Sequence, residues 1–251
     1  MANSEFANKC HSPFAIRHSQ IRPFAIRLMP KTIIFANGIS ADPNENRHYF
    51  SPGDTIICAD GGTLHALAMG LTPDLIVGDL DSLPAPVVAE MEAKGVEIQR
   101  HPVDKDQTDL ELALQIAIQR GAKEILLLTA LGGRLDQTLA NILLLTRPEW
   151  RGVRLRLAEG AQSAWLLRGP DSLTLRGQTG DTLSVVALSQ NLRELTLQGV
   201  KWPLNKANVS LGSTLTISNA FVEVEAKIQL AQGMALAIVG CQSQADCNLT
   251  K

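Results

Sequence analysis

Short apolar runs and helical patterns alternate along residues 31–160. KTIIFANG, DTIICADGG, DLIVGDL, EILLLTALGG and VRLRLAEG read as strands. Several are apolar on consecutive positions, the pattern of a strand covered on both faces in a parallel sheet. The clearest helix is predicted over 109–120. Thr108 and Glu111 form a T-x-x-E capping box at its start. Leu110, Ala113, Leu114 and Ala117 then make one apolar face at i, i+3, i+4, i+7. A second helix is predicted after Gly133, with Leu135, Leu139 and Ile142 turned inward. Strands and helices in alternation indicate an α/β unit with a mostly parallel sheet.

Beyond about residue 160 the helical period stops. SAWLLRG, DSLTLRG, DTLSVVALS, RELTLQGV, STLTISNAF, VEVEAKIQL and MALAIVG follow one another, separated by glycines. Val222, Val224, Ala226 and Ile228 alternate with Glu223, Glu225 and Lys227. Short alternating strands with regular turn signals predict an antiparallel all-β sandwich. The expected organisation is therefore an extension over 1–30, an α/β catalytic, nucleotide-binding domain over 31–160, a β-sandwich domain over 161–240 and a frayed tail over 241–251.

Composition adds exclusions. A formal net charge of -2 lacks the basic footprint of a nucleic-acid binder. No apolar stretch approaches the ~20 residues that cross a bilayer. The four cysteines, Cys10, Cys58, Cys241 and Cys247, form no C-x-x-C pair and no zinc spacing, which suits a reducing, cytoplasmic setting. The first thirty residues carry PFAIR twice and are basic, with one acid, Glu5. A transit peptide has that character, but a cloning remnant or over-extended start before Met29 is the preferred reading.

The chemistry concentrates in loops. In α/β sheets ligands bind at the carboxyl ends of the strands. There the chain places Asn37-Gly38, Asp60-Gly61-Gly62, Gly78-Asp79-Leu80-Asp81-Ser82 and Gly132-Gly133-Arg134-Leu135-Asp136. Asp104-Lys105-Asp106-Gln107-Thr108-Asp109 precedes the capped helix. All these loops are expected on one edge of the sheet. Magnesium takes hard oxygen ligands, commonly one or two carboxylates with water and phosphate. In extended geometry Asp79 and Asp81 point the same way and reach one ion, and Asp109 can join them. Glycines 61, 62, 132 and 133 permit close approach to phosphate, and Lys105 and Arg134 can neutralise it. Each element alone has a plainer reading: a turn, a solvated charge run, a helix-dipole residue, a surface pair. Like charges held close, as in Asp79 and Asp81, need a cation or a proton. No G-x-x-x-x-G-K-[ST] or G-x-G-x-x-G is present, so neither a P-loop nor a dinucleotide fingerprint is indicated.

The ordered set ADGG (59–62), PDLIVGDLDS (73–82), DKDQTDLELAL (104–114) and LGGRLDQTLANI (131–142), with GVKWPL (199–204) and ISN (217–219), closely resembles the thiamine pyrophosphokinase family. The resemblance spans most of 31–240. It implies an enzyme of the diphosphotransferase class that moves a diphosphate group from ATP to the hydroxyl of thiamine, with Mg2+, giving thiamine diphosphate and AMP. It also implies a homodimer with active sites shared between subunits. By matching positions, Asp79, Asp81 and Asp109 would be metal ligands. Asn37, Asp60, Gly61, Gly62, Lys105, Thr108, Gly132, Gly133, Arg134 and Asp136 would line the nucleotide and reacting centre. Trp202, Ser218 and Asn219 would meet thiamine, partly across the subunit boundary. Either Asp79 or Asp136 could take the hydroxyl proton.

Two alternatives stand beside this reading: a pyrophosphokinase for another hydroxymethyl heterocycle such as a pterin, and a nucleotide or thiamine sensor without turnover. Trp202 offers an aromatic face to a cationic thiazolium. Its other reading is a core tryptophan of the sandwich.

Overall fold

A computed structural model describes residues 30–40 and 42–241. The expectations for the extension over 1–29 and for the tail beyond 241 lie outside the described residues. Five strands, β1 (Thr32–Phe35), β2 (Thr55–Ala59), β3 (Leu75–Gly78), β4 (Glu97–Arg100) and β5 (Glu124–Leu128), pair in parallel, and β6 (Arg154–Glu159) joins them in parallel against β5. Helices α1 (Gly62–Ala68), α2 (Ala85–Ala93), α3 (Asp109–Gln119) and α4 (Leu135–Leu144) make most of the crossovers, as parallel pairing requires. Both faces of the sheet are covered. Ile34, Ile57, Leu75, Val77, Ile125 and Leu127 pack on one side, and Ile33, Phe35, Cys58, Ile76, Leu126 and Leu128 on the other. This explains the unbroken apolar runs.

The remaining strands are β7 (Gln162–Arg168), β8 (Asp171–Arg176), β9 (Thr182–Ala187), β10 (Asn191–Gln198), β11 (Leu204–Ser210), β12 (Asn219–Ala220), β13 (Glu225–Leu230) and β14 (Met234–Gly240). All pair antiparallel. Four of them extend the first sheet, which runs β12-β9-β14-β7-β6-β5-β1-β2-β3-β4. The other four form a second sheet, β11-β10-β13-β8. The two sheets close over a core that includes Trp165, Leu167, Val185, Leu195, Phe221 and Ile228. The fold is thus a parallel-rich α/β unit and an antiparallel sandwich, and hydrogen bonding passes unbroken from β6 to β7 across residue 160. A 3-10 helix, Pro43–Tyr49, covers that junction. There Arg156 lies between the rings of Tyr49 and Trp165, at 4.9 and 4.6 Å.

Several local expectations change. Strands β4 and β11 are largely polar edge strands, EIQR and LNKANVS, whose few core-facing residues, Ile98 and Leu204 with Val209, make no regular pattern. The STLTISNAF run contributes only the two residues of β12. Helix α4 turns Asn141 inward, with Ile142 half-buried, while Leu135, Leu139 and Leu143 are exposed. The inward expectation for Leu135 and Leu139 therefore fails. The helix carries two apolar stripes, and only the one that continues to buried Leu145 packs on the sheet. Among the described residues, no helix is long and apolar enough to cross a membrane.

Candidate active site

The parallel pairing aligns the carboxyl ends of β1, β2, β3 and β5, so the loops beyond them meet at one edge. They enclose a cleft of about 530 Å³. Asn37, Asp60, Asp81, Lys105, Thr108, Asp109, Gly132, Gly133 and Arg134 all line it. The convergence expected of these loops is observed.

At the cleft, oxygens of Asp60, Asp79 and Asp81 lie within 4.8 Å of one another, although Asp79 does not itself line it. The route to this grouping differs from the expected one. Leu80 has φ +67°, in the left-handed region, so Asp79 and Asp81 are not held by an extended segment. Burial of the Leu80 side chain in the core under the loop anchors that turn, and the backbone N–H of Asp81 donates to Asp79 Oδ1 at 3.1 Å. Gly78 lets two further carboxylates close in. At its φ of +151°, an added Cβ would sit 3.0 Å from Asp60 Cβ and 3.2 Å from Asp109 Cγ. Asp60 is 5% exposed, and its Oδ1 has no hydrogen-bond partner among the described residues.

Asp109 opens α3, where Thr108 Oγ1 caps the helix by accepting from Glu111 N at 3.2 Å. The other half of the capping box is replaced, because the Glu111 carboxylate accepts from Gln107 and Arg147. The Asp109 carboxylate pairs with Lys105 Nζ at 3.1 Å and lies outside the closest three-oxygen set. Lys105 also meets Asp79 Oδ2 at 3.4 Å and donates to Pro102 O at 2.9 Å. One ammonium therefore pairs with two of the four carboxylates, Asp79 and Asp109.

The protonation tendencies reflect this layout. The Asp81 backbone N–H, with help from Lys105, holds the Asp79 carboxyl below the usual range. Burial pushes Asp109 up, Lys105 opposes it, and the charges of Asp79 and Asp60 add to the rise. Burial alone would lower Lys105, but Asp109 and Asp79 outweigh it and the ammonium is strengthened. A set of hard oxygens with excess negative charge and an unpartnered buried oxygen fits a divalent cation such as magnesium.

Other expected residues take different places. Gly61 and Gly62 pack α1 against β1: an added Cβ would lie 2.5 Å from the Asn37 side chain and 2.3 Å from Phe35 O, respectively. Arg134 grips Asp136 with two bonds, Nε to Oδ1 at 3.1 Å and Nη2 to Oδ2 at 2.6 Å, and both side chains are exposed at the rim. Asp136 is accordingly held low by that guanidinium. Ile39, Ser82, Val103, Gln107, Gln137 and Asn141 also line the cleft; Ser82, Gln107, Gln137 and Asn141 fall within the motifs quoted above but not among the expected site residues, and Ile39 and Val103 fall outside those motifs. Gln137 and Asn141 were legible in principle, as an i, i+4 pair on α4 just beyond the double glycine.

Trp202, Ser218 and Asn219 lie elsewhere. They cluster at the β12 edge, eight strand positions from β3. At about 4.8 Å per strand, that is roughly 35–40 Å along the sheet. Trp202 is 56% exposed, so the core-tryptophan reading does not hold. Lys201 Nζ sits 4.7 Å from the centre of its ring. Asn219 is buried and clamps the Trp202 backbone: its Oδ1 accepts from Trp202 N at 3.0 Å and its Nδ2 donates to Trp202 O at 2.8 Å. Oδ1 also accepts from Ala220 N at 2.9 Å. Asn219→Ala removes all three bonds. The expected result is a loss of about 1–2 kcal/mol in a denaturant titration, because part-buried backbone groups lose their partners. A variant as stable as the wild type would show that the clamp is dispensable.

Residues 46–157 match the family described as thiamin pyrophosphokinase, catalytic domain, and residues 172–235 match thiamin pyrophosphokinase, vitamin B1 binding domain. The chain is 31% identical over 182 residues to thiamine pyrophosphokinase of Bacillus subtilis (strain 168), covering 72% of this chain and 85% of that protein. It is 28% identical over 196 residues to thiamine pyrophosphokinase 1 of Oryza sativa subsp. japonica, covering 68% and 74% respectively. The crystal structure of the Bacillus subtilis protein superposes with a TM-score of 0.75 at 30% identity, over 85% of this chain and 100% of that one. The Candida albicans protein, at 18% identity and a TM-score of 0.68, covers 84% and 89% and shares the fold.

Proposed function

The chain belongs to the thiamine pyrophosphokinase family, an enzyme family of the diphosphotransferase class, and we propose that it transfers a diphosphate group from ATP to the hydroxyl of thiamine, releasing AMP. The observation that carries the ATP and metal parts of this reading is the four-carboxylate cluster at the strand ends, two members of which pair with Lys105, beside a wall that holds Gly132 and Gly133. Asp79 and Asp81 would hold magnesium, with Asp60 on the buried side, and Asp109, now paired with Lys105, is the further carboxylate in reach of it. When bound, the ion neutralises phosphate charge as it builds up in the transition state. Lys105 moves to the phosphates and adds a second positive charge. Arg134 releases Asp136 to grip a phosphate with its planar fork. The released Asp136, or Asp79, accepts the hydroxyl proton. Most of the work is positioning and charge stabilisation.

Thiamine is held against Trp202, with Ser218 and Asn219 shaping that edge. The Trp202 edge and the carboxylate cluster are too far apart within one chain to meet one small heterocycle. The site is therefore shared across a homodimer, in which Trp202 of one subunit serves the cleft of the other. The exposed stripe Leu135, Leu139 and Leu143 on α4 supports association, since such a stripe favours burial. The test is release of AMP from ATP and Mg2+ in the presence of thiamine, with a hydroxymethylpterin as the competing acceptor. Release with thiamine alone is expected. Release only with the pterin, or with neither, would refute the assignment.

A further inference from the structure

We infer that Glu159, at the carboxyl end of β6, is a positioning residue that fixes the glycine wall of the cleft for the nucleotide. This rests on the reading that the cleft takes ATP. Glu159 does not line the cleft. It sits behind it, and its two carboxylate oxygens hold two different loops. Oε1 accepts from Ser40 Oγ at 2.6 Å, in the loop after β1. Oε2 accepts from Thr129 N at 3.2 Å, in the loop after β5.

These two loops are one structure. Gly38 N donates to Thr129 O at 2.7 Å, and Ile39 N donates to Leu131 O at 3.0 Å. Gly38 approaches so closely that an added Cβ would lie 2.4 Å from both Thr129 O and Leu131 O. Gly132 and Gly133 then rest on the Ile39 side chain. Together the loops form the wall that carries Arg134.

Thr129 is the hinge of this wall, and its conformation needs support. It is fully buried at φ +51°, a region that β-branched residues avoid. Its hydroxyl donates to Ala36 O at 2.6 Å, which ties it back to β1. Its N–H finds its partner in Glu159, and among the described residues no second acceptor stands in for that carboxylate. A single carboxylate thus satisfies the strained residue on one side and anchors the facing loop on the other. Strained backbone that persists beside a cleft is held by its surroundings, and here the holding group is Glu159.

The experiment measures affinity for α,β-methylene ATP with Mg2+ by calorimetry, alongside steady-state kinetics. Glu159→Ala is expected to weaken analogue binding at least tenfold and to raise the KM for ATP in proportion, with kcat and the KM for thiamine changed less than threefold. Glu159→Gln is expected to stay within threefold of wild type. Its amide oxygen can accept from Thr129 N–H while its NH2 donates to Ser40 Oγ. A folded Glu159→Ala protein that binds the analogue within twofold of wild type overturns the inference. If that variant is unfolded at the assay temperature, Ser40→Ala decides: binding weakened threefold or more supports the inference, and wild-type affinity overturns it. Wild-type protein that does not bind the analogue overturns the nucleotide reading, and this inference with it. Wild-type binding with an unaffected Glu159→Ala overturns only the role of Glu159.

Discussion

Under the proposed function, Asp81→Asn is expected to lower kcat/KM for thiamine-dependent AMP release by at least about 10³-fold, the loss of several kcal/mol of metal-borne charge stabilisation. The fold is expected to survive intact. Asp81 is exposed, and its side chain accepts from Ser82 Oγ at 3.1 Å beside the like-charged carboxylates of Asp60 and Asp79. The bond that shapes the turn uses its backbone N–H and is kept by asparagine. Without metal, the variant is expected to melt at or slightly above the wild-type temperature, because one of four crowded negative charges is gone. With millimolar Mg2+ the order reverses. Binding to the native state stabilises it in proportion to affinity, so the wild type gains more than the variant. A folded Asp81→Asn protein with wild-type turnover would remove the carboxylate cluster from the chemistry. An equal Mg2+ response in both proteins would show that the ion binds elsewhere.

The sequence made the cleft legible because its residues sit at strand ends. A strand such as DLIVGDL announces itself by burial on both faces, and the loop at its carboxyl end must emerge at the sheet edge. Asp60, Asp81, Lys105, Thr108, Asp109 and the 132–134 loop therefore met in the cleft as expected. The details depended on terms that periodicity does not carry. Leu80 adopts a left-handed conformation because its side chain is drawn into the core, and this swings Asp79 and Asp81 toward Asp60. Asp109 has turned to Lys105, four residues earlier, a local pairing that competes with any ion. Strands β4 and β11 were hidden by their polar edge character. The outward stripe of α4 reads in sequence like any other buried leucine stripe. Glu159 was invisible for a different reason: its partners lie 119 and 30 residues away, joined only by the packing of β6 beside β5.

A heterodimer of one Asp81→Asn chain and one Trp202→Ala chain is expected to recover about half of the wild-type rate at thiamine well below KM. The reason is geometric. In the proposed dimer each cleft would draw its carboxylates from one subunit and its tryptophan from the other, and a two-fold dimer would have two such sites. In the mixed dimer, the Trp202→Ala chain supplies an intact cluster and the Asp81→Asn chain supplies an intact Trp202, so one site of the two is whole. The other site carries both lesions. The parent variants set the baselines. Asp81→Asn is nearly inactive. Trp202→Ala is expected to lose an aromatic contact worth roughly 0.5–2 kcal/mol to a cation, or about 2- to 30-fold in affinity and about tenfold at mid-range. Its stability should change little, because the indole is 56% exposed and its backbone is held by Asn219. If cluster and tryptophan served the same site within one chain, neither chain of the mixed dimer would be whole. Its rate would then be about a twentieth of wild type, half of the Trp202→Ala value. Coexpression of two differently tagged chains, with tandem purification, isolates the mixed dimer without refolding. A rate near a twentieth would refute the shared site. A chain that sediments as a monomer at assay concentration would refute it as well.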